Sequence, residues 1–308
     1  MAVAFDPLVQ DEPYLAYREL RASCPVYRNE ARGFWALSRF EDVQRAAREW
    51  TGFSSADGVN LDDTLSLTGA GNFIAADPPD HDRLRRVVRG RFTPARVAAM
   101  EAAIREDVRG VLAVAVREGG FDAADALAWA IPVRTVSRLL RLPMQDEHEL
   151  RGWLRAIIHR EAASDRLPET ARAAAGALRE YLTAHLAERR RLPGDDLLSD
   201  IVAGQTRSEL DEAELPGLCI LLYVAGTETV ADFIGNALVA LAEHPEQRAL
   251  LATQPDVGGA AVEELLRYES PVQYQVRTAT HPELAEAYGL TRRRAGSARS
   301  GAARTPRA

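Results

Sequence analysis

The chain contains no lysine: all 38 of its basic residues are arginine. The absence says little about the fold, but it points to a gene of strongly biased codon usage, rich in Arg, Ala and Gly. Cysteine is nearly as scarce. Only Cys24 and Cys219 are present, far apart and in no C-x-x-C or zinc spacing. That excludes a disulfide scaffold and fits a reducing cytoplasm. No uninterrupted run of about eighteen apolar residues occurs, so no membrane span is expected. The first residues lack the basic-then-apolar order of a signal peptide, so none is expected. A net charge of −7 offers no global attraction for nucleic acid or an anionic membrane. What remains, 46% hydrophobic and 27% charged residues over 308 positions, suits one large folded domain or two small ones.

Turn chemistry and periodicity then divide the chain. Tyr14 to Ser23 reads as a helix stopped by Pro25. Val26-Tyr27-Arg28 and Phe34-Trp35-Ala36-Leu37 flank a turn at Gly33, the pattern of a hairpin. Ser38 and Glu41 read as a capping box for a helix over 41–49. Residues 52–79 are rich in Gly, Ser, Asp and Asn and end in Asp77-Pro78-Pro79; a loop this long is often functional. Helix resumes at Asp80, and Thr93-Pro94 supplies an N-cap followed by proline at the first helical position. Further helices are expected over 94–118, 122–140, 146–163, 168–191 and 211–244, with an extended segment over 271–279. No repeat of fixed period argues for a solenoid. Residues 291–308 hold six Arg, five Ala, two Gly, two Ser, two Thr and one Pro. With no large apolar residue this tail is expected to be disordered.

Three groups of residues carry chemistry. The helix over 211–244 would be about 50 Å long, with Pro216 oddly placed in its second turn. Its apolar centre is interrupted by Ala225-Gly226-Thr227-Glu228-Thr229. A carboxylate and two hydroxyls there are costly without partners. Gly and Thr permit a local opening that a small ligand could occupy; a packed helix with a solvated polar patch explains the same residues equally well. Glu264 and Arg267, three apart on one helical face, form an ion pair that alone is ordinary surface chemistry. His81 and Arg85, four apart at a helix start, could donate together to one anion. They also sit in a run with Arg83, Arg86, Arg89 and Arg91 that an exposed face would explain.

In order and spacing these motifs resemble the cytochrome P450 family over about residues 5–280. The resemblance implies a mainly α fold with a small β region, incomplete at the C-terminus, and a domain over 1–290 followed by the 291–308 tail. Asp77-Pro78-Pro79-Asp80-His81 with Arg85 is similar to the helix whose His and Arg bind the haem propionates. Ala225, Gly226, Glu228 and Thr229 are similar to the A-G-x-E-T oxygen-binding signature. Glu264 and Arg267, followed by Ser270-Pro271, match E-x-x-R as a structural pair, and Arg277 matches an arginine that also reaches a propionate. Phe92-Thr93-Pro94 and the 34–40 region fit as well. The implied activity is insertion of one oxygen atom from O2 into a small organic substrate, in secondary metabolism and in the cytoplasm. The implied cofactor is haem b, with electrons from a ferredoxin or flavodoxin and its reductase. Thr229 would hydrogen-bond dioxygen or its water, Glu228 would relay protons, and Ala225 and Gly226 would leave room above the haem. Residues 52–76, Val224 and 271–275 resemble the substrate-contacting segments.

One part of the pattern is missing. No F-x-x-G-x-x-x-C follows residue 280, and no cysteine follows Cys219. Cys219 reads as a buried core thiol and Cys24 precedes the hairpin, so no axial ligand is assigned. The expectation is a chain shortened by a frameshift or early stop, with Glu264 and Arg267 more exposed than in the family and catalysis impaired. The alternative is a non-catalytic remnant, or a helical binding protein without haem. Nucleic-acid binding through the tail ranks lower, against the net charge and the lack of interleaved aromatic and basic residues.

Overall fold

A computed structural model describes residues 13–61, 69–159, 167–281 and 299–301. Helix α1 (Pro13–Ser23) buries Ala16, Tyr17 and Leu20 against the hairpin of β1 (Val26–Asn29) and β2 (Phe34–Leu37). Gly33 takes the left-handed φ of +69° that turns this hairpin. Helix α2 (Phe40–Arg48) starts one residue earlier than expected and without the capping box: its N-cap is Arg39. Ser38 is buried and donates instead to the carbonyl of Pro25 at 3.2 Å, so holding the hairpin's base takes its hydroxyl away from the helix.

The long loop contains a two-residue strand, β3 (Phe53–Ser54), and leads into α3 (Asp80–Val88). The helix expected over 94–118 is two helices, α4 (Pro94–Ala98) and α5 (Glu101–Glu118). Between them the Met100 N–H reaches back only three residues, to the Val97 carbonyl at 3.0 Å. Pro94 opens α4 as expected, but Thr93 makes no side-chain cap. The segment expected over 122–140 opens with a π-turn, Ala124–Trp129, before α6 (Ala130–Leu140). Helices α7 (Glu147–Ile158) and α8 (Glu169–Arg191) follow; the end expected for α7 falls partly outside the described residues. Helix α9 (Leu197–Thr206) was not anticipated. Its signal is Asp196, whose side chain accepts from the Ser199 N–H at 2.9 Å as an N-cap.

The long helix α10 runs over Leu215–Glu243, then α11 over Pro245–Thr253 and α12 over Gly258–Tyr268. Asp211 and Glu214 form a reciprocal capping box around a 3-10 turn, Glu212–Glu214. That turn places Pro216 in the first turn of α10, where its missing N–H costs nothing. By length and composition the stretch Glu212–Glu243 could cross a membrane. Its Leu218, Cys219, Ile220 and Tyr223 are instead buried against α6, α8 and α9, the pattern of a globular core helix. Around it Leu150, Leu154, Leu178, Leu182, Leu198 and Ile201 are fully buried, each contributing about 1.5–3 kcal/mol of transfer free energy.

Strand β4 (Val276–Ala279) occupies the end of the segment expected to be extended. It pairs antiparallel with β3 through Phe53↔Ala279 and Ser54↔Thr278. The tail expectation needs correction at three residues. Arg299–Gly301 form β5, between β2 and β4 in the order β1-β2-β5-β4-β3. Backbone pairing to two neighbours asks for no large side chain, so composition alone does not exclude a strand. The rest of 291–308 lies outside the described residues, as do 282–290.

Candidate active site

The two threonines in the centre of α10 have different surroundings. Successive residues turn about 100° around a helix, so Thr227 and Thr229 point to opposite sides. Thr227 is wholly buried and donates to the Tyr223 carbonyl at 2.7 Å. Thr229 is half-buried on the opposite face and donates to the Ala225 carbonyl at 2.9 Å. Both bonds reach back four residues, and α10 stays continuous through them, so of the two readings the packed helix holds and the local opening does not form. The hydroxyls are satisfied within the helix. Tyr223 and Ser137 of α6 share a buried hydrogen bond of 3.0 Å beneath this segment.

Gly226 faces the same side as that core. A Cβ there would lie 3.0 Å from Cγ2 of Val136, so its missing side chain lets α6 approach α10. That is a packing reason for the glycine, where the sequence suggested room for a porphyrin. Glu228 is half-buried on the other side, with Thr229, and Ala225 is half-buried with contact to the main core. Sequence reasoning passed over Asp232, four residues beyond Glu228 on the same face. Asp232 is exposed, yet its surroundings desolvate the carboxyl enough to push it above the usual range. A second acid inside an apolar helix was the available signal.

The second half of the candidate site is cationic. Of the arginines around α3, Arg83 forks onto Glu214 at 2.7 and 2.9 Å, and Arg91 is tied to Asp195 and Asp200. Those two hold α3 and its following turn to the capped start of α10 and to α9. Arg85 is exposed and has no partner among the described residues. His81 is half-buried, its Nδ1 2.9 Å from Asp82 and its ring edge-on to Phe73.

Arg277 reaches the same region from the far end of the chain. Strand β4 pairs Thr278 with Ser54 of β3. Ser54 donates to Asp77 Oδ2, and the Ser55 N–H donates to Oδ1 at 2.9 Å. The Asp77 carbonyl accepts the His81 N–H at 3.0 Å. These bonds tie the first turn of α3, which carries His81 and Arg85, to β3, the partner of the strand that carries Arg277. Arg277 donates to the Val276 carbonyl at 2.9 Å, and burial lowers its guanidinium while Asp77 pulls it back up. A desolvated cation is the electrostatic complement of a carboxylate ligand.

Glu264 and Arg267 form a bidentate pair at 2.7 and 2.8 Å, with side-chain exposures of 60% and 34%. Glu264 lines an apolar groove of α10, α11 and α12 with Leu241, His244, Leu250, Leu265 and Tyr268. Val224 is half-buried against the main core, and Val272 is exposed. Residues 62–68 of the expected substrate loop lie outside the described residues.

No family model matches the chain. Curated relatives do. Over 281 residues it is 34% identical to the putative cytochrome P450 123 of Mycobacterium tuberculosis, covering 90% of this chain and 70% of that one. The chain belongs to the cytochrome P450 family. It is also 35% identical over 269 residues to the erythromycin C-12 hydroxylase of Saccharopolyspora erythraea, covering 85% of this chain and 66% of the relative. Among solved structures, the bacillaene polyketide synthase cytochrome P450 PksS of Bacillus subtilis matches with a TM-score of 0.83 at 26% identity, over 97% of this chain and 77% of that one. The P450 fold inferred from four motifs is thus confirmed, as is membership of a family of haem-dependent oxidoreductases.

The residues present fit haem on two of its sides. Arg277, Arg85 and His81 offer donors to propionates, and the Ala225–Thr229 face of α10 offers a half-buried wall. The axial ligand does not fit. Cys219 is completely buried in the main core, where desolvation pushes its thiol far up. Cys24 is exposed at the end of α1, with its Sγ 3.5 Å from the Val26 carbonyl. Cys219 shares α10 with the candidate site but lies about two turns before Gly226 in the main core, and Cys24 lies on none of the elements that carry the site.

Proposed function

We propose that this P450 chain presents the propionate-binding and proton-delivery sides of a monooxygenase site for a small organic substrate of secondary metabolism. The cysteines it carries do not supply the thiolate, so the 308-residue chain by itself is impaired in catalysis. The observation that carries this reading is the chain of bonds through Asp77 from the His81 turn to β3, the partner of the strand that bears Arg277. Haem, when bound through a thiolate, supplies activation of dioxygen by electron donation from sulfur. The protein's own part is positional. Arg277 and Arg85 bind and orient carboxylates as charge-assisted donors. Thr229 spends its proton on the Ala225 carbonyl, which leaves its oxygen as an acceptor facing the ligand side. Glu228, one residue earlier, is placed to hold and release protons at its carboxyl oxygens. A ferredoxin or flavodoxin with its reductase, in the cytoplasm, is the expected electron source.

The test uses metal-free protoporphyrin IX, whose binding needs no axial ligand. Fluorescence titration of the purified chain is expected to show tighter binding of the diacid than of its dimethyl ester. Arg277→Gln should weaken the diacid about tenfold, in line with the loss of a charge-assisted pair. If the chain binds neither form, the alternative of a helical binding protein without haem takes its place.

A further inference from the structure

We propose that Asp77 is the positioning residue of the propionate-binding cations, joining His81 and Arg277 into one clamp although they lie on different elements. The inference rests on the porphyrin reading above and assigns a residue that binds nothing itself.

Three contacts carry it. The Asp77 side chain accepts from the Ser54 hydroxyl and from the Ser55 N–H at 2.9 Å, which ties it to β3. The Asp77 carbonyl accepts the His81 N–H at 3.0 Å, which fixes the first turn of α3. Ser54 is in turn the register partner of Thr278, the residue after Arg277. A strand of two residues has little to hold its register by itself. A slip of one residue would turn Arg277 to the other face of β4. The N–H groups of Val276 and Thr280, donating to the Val59 and Gly52 carbonyls at 2.8 and 3.0 Å, oppose such a slip, and the two bonds from Asp77 to consecutive residues of the β3 segment fix that segment against the start of α3.

The charge of Asp77 matters as well. Both its oxygens are engaged by serine donors, and its negative charge acts favourably on the Arg277 guanidinium. A carboxylate held in this way keeps a half-buried guanidinium in place before any ligand arrives. Orientation of a binding residue by a partner behind it typically changes affinity by about 10–100-fold.

Asp77→Asn and Ser54→Ala are compared with the unmodified chain for binding of protoporphyrin IX and its dimethyl ester, with thermal unfolding measured alongside. Asp77→Asn is expected to weaken the diacid about tenfold and to leave the ester unchanged. Ser54→Ala keeps the charge and should give a smaller loss of the same kind, which preserves the test if the Asn variant does not fold. In an Arg277→Gln background the effect of Asp77→Asn should largely vanish, because the two act through one another. Equal loss for diacid and ester, or full additivity with Arg277→Gln, would overturn the proposal and leave Asp77 as a loop anchor. A different pattern marks failure of the underlying reading: the unmodified chain would then bind diacid and ester alike, and the clamp would fall with it.

Discussion

Tyr223 and Ser137 illustrate how much the centre of α10 depends on single bonds. Tyr223 is wholly buried, and burial pushes its hydroxyl above the usual range while Ser137 lowers it. Tyr223→Phe would leave the Ser137 hydroxyl buried and unpaired, at a cost of about 1–3 kcal/mol. Denaturant unfolding should show this loss, and adding Ser137→Ala should recover part of it. A loss unchanged by the second substitution would mean that ring packing, and not the hydrogen bond, sets the cost. The same scale shows where residue identity misleads. In Ala225-Gly226-Thr227-Glu228-Thr229 the motif was legible from its letters, but the direction of each side chain was not. Thr227 belongs to the core, Thr229 to the other face, and Gly226 is small because Val136 lies against it.

Among the elements, the start of α10 is the best connected. Glu214 caps it, accepting from the Asp211 N–H at 2.8 Å, and also receives the Arg83 fork from α3. Arg83 beside it holds the Glu214 carboxyl below its ordinary value of 4.5. A carboxylate lowered in the folded chain contributes stability at neutral pH. That contribution fades as pH falls below 4.5 and is gone below the folded value. Glu214→Gln should therefore destabilise the chain at neutral pH by about 1–3 kcal/mol. It should also flatten the acid limb of the stability profile, as followed by urea unfolding between neutral and acid pH. An unchanged acid limb would show that the pair is not formed in solution. The capping box of this helix joins Asp211 and Glu214, three residues apart, at the spacing such a cap requires. The one read from Ser38 and Glu41 was not realised, because a distant acceptor, the Pro25 carbonyl, takes the serine hydroxyl. Local spacing identifies candidates for a cap; tertiary contacts choose among them.

At the scale of the whole molecule, helices with long apolar faces were readable because their burial imposes a period. Helix α8 begins within a residue of its expected start and ends where expected. The order of the sheet was not readable, since two-residue and three-residue strands leave almost no pattern. The family was legible from four motifs in register, and the relatives bear it out. The role of Asp77 in tying β3 to the start of the His81 helix was not, because it depends on Ser54 and Ser55, distant in sequence.

The central claim is that this P450 chain holds the propionate and proton-delivery sides of the site without a cysteine placed as the iron's ligand. The most direct measurement is the carbon-monoxide difference spectrum of the purified 308-residue chain after incubation with haem and reduction. The account predicts that any haem taken up gives a band of non-thiolate type, unaltered by Cys219→Ala or Cys24→Ala. A normal thiolate-type Soret band would contradict it, and its loss in one of those variants would name the cysteine responsible.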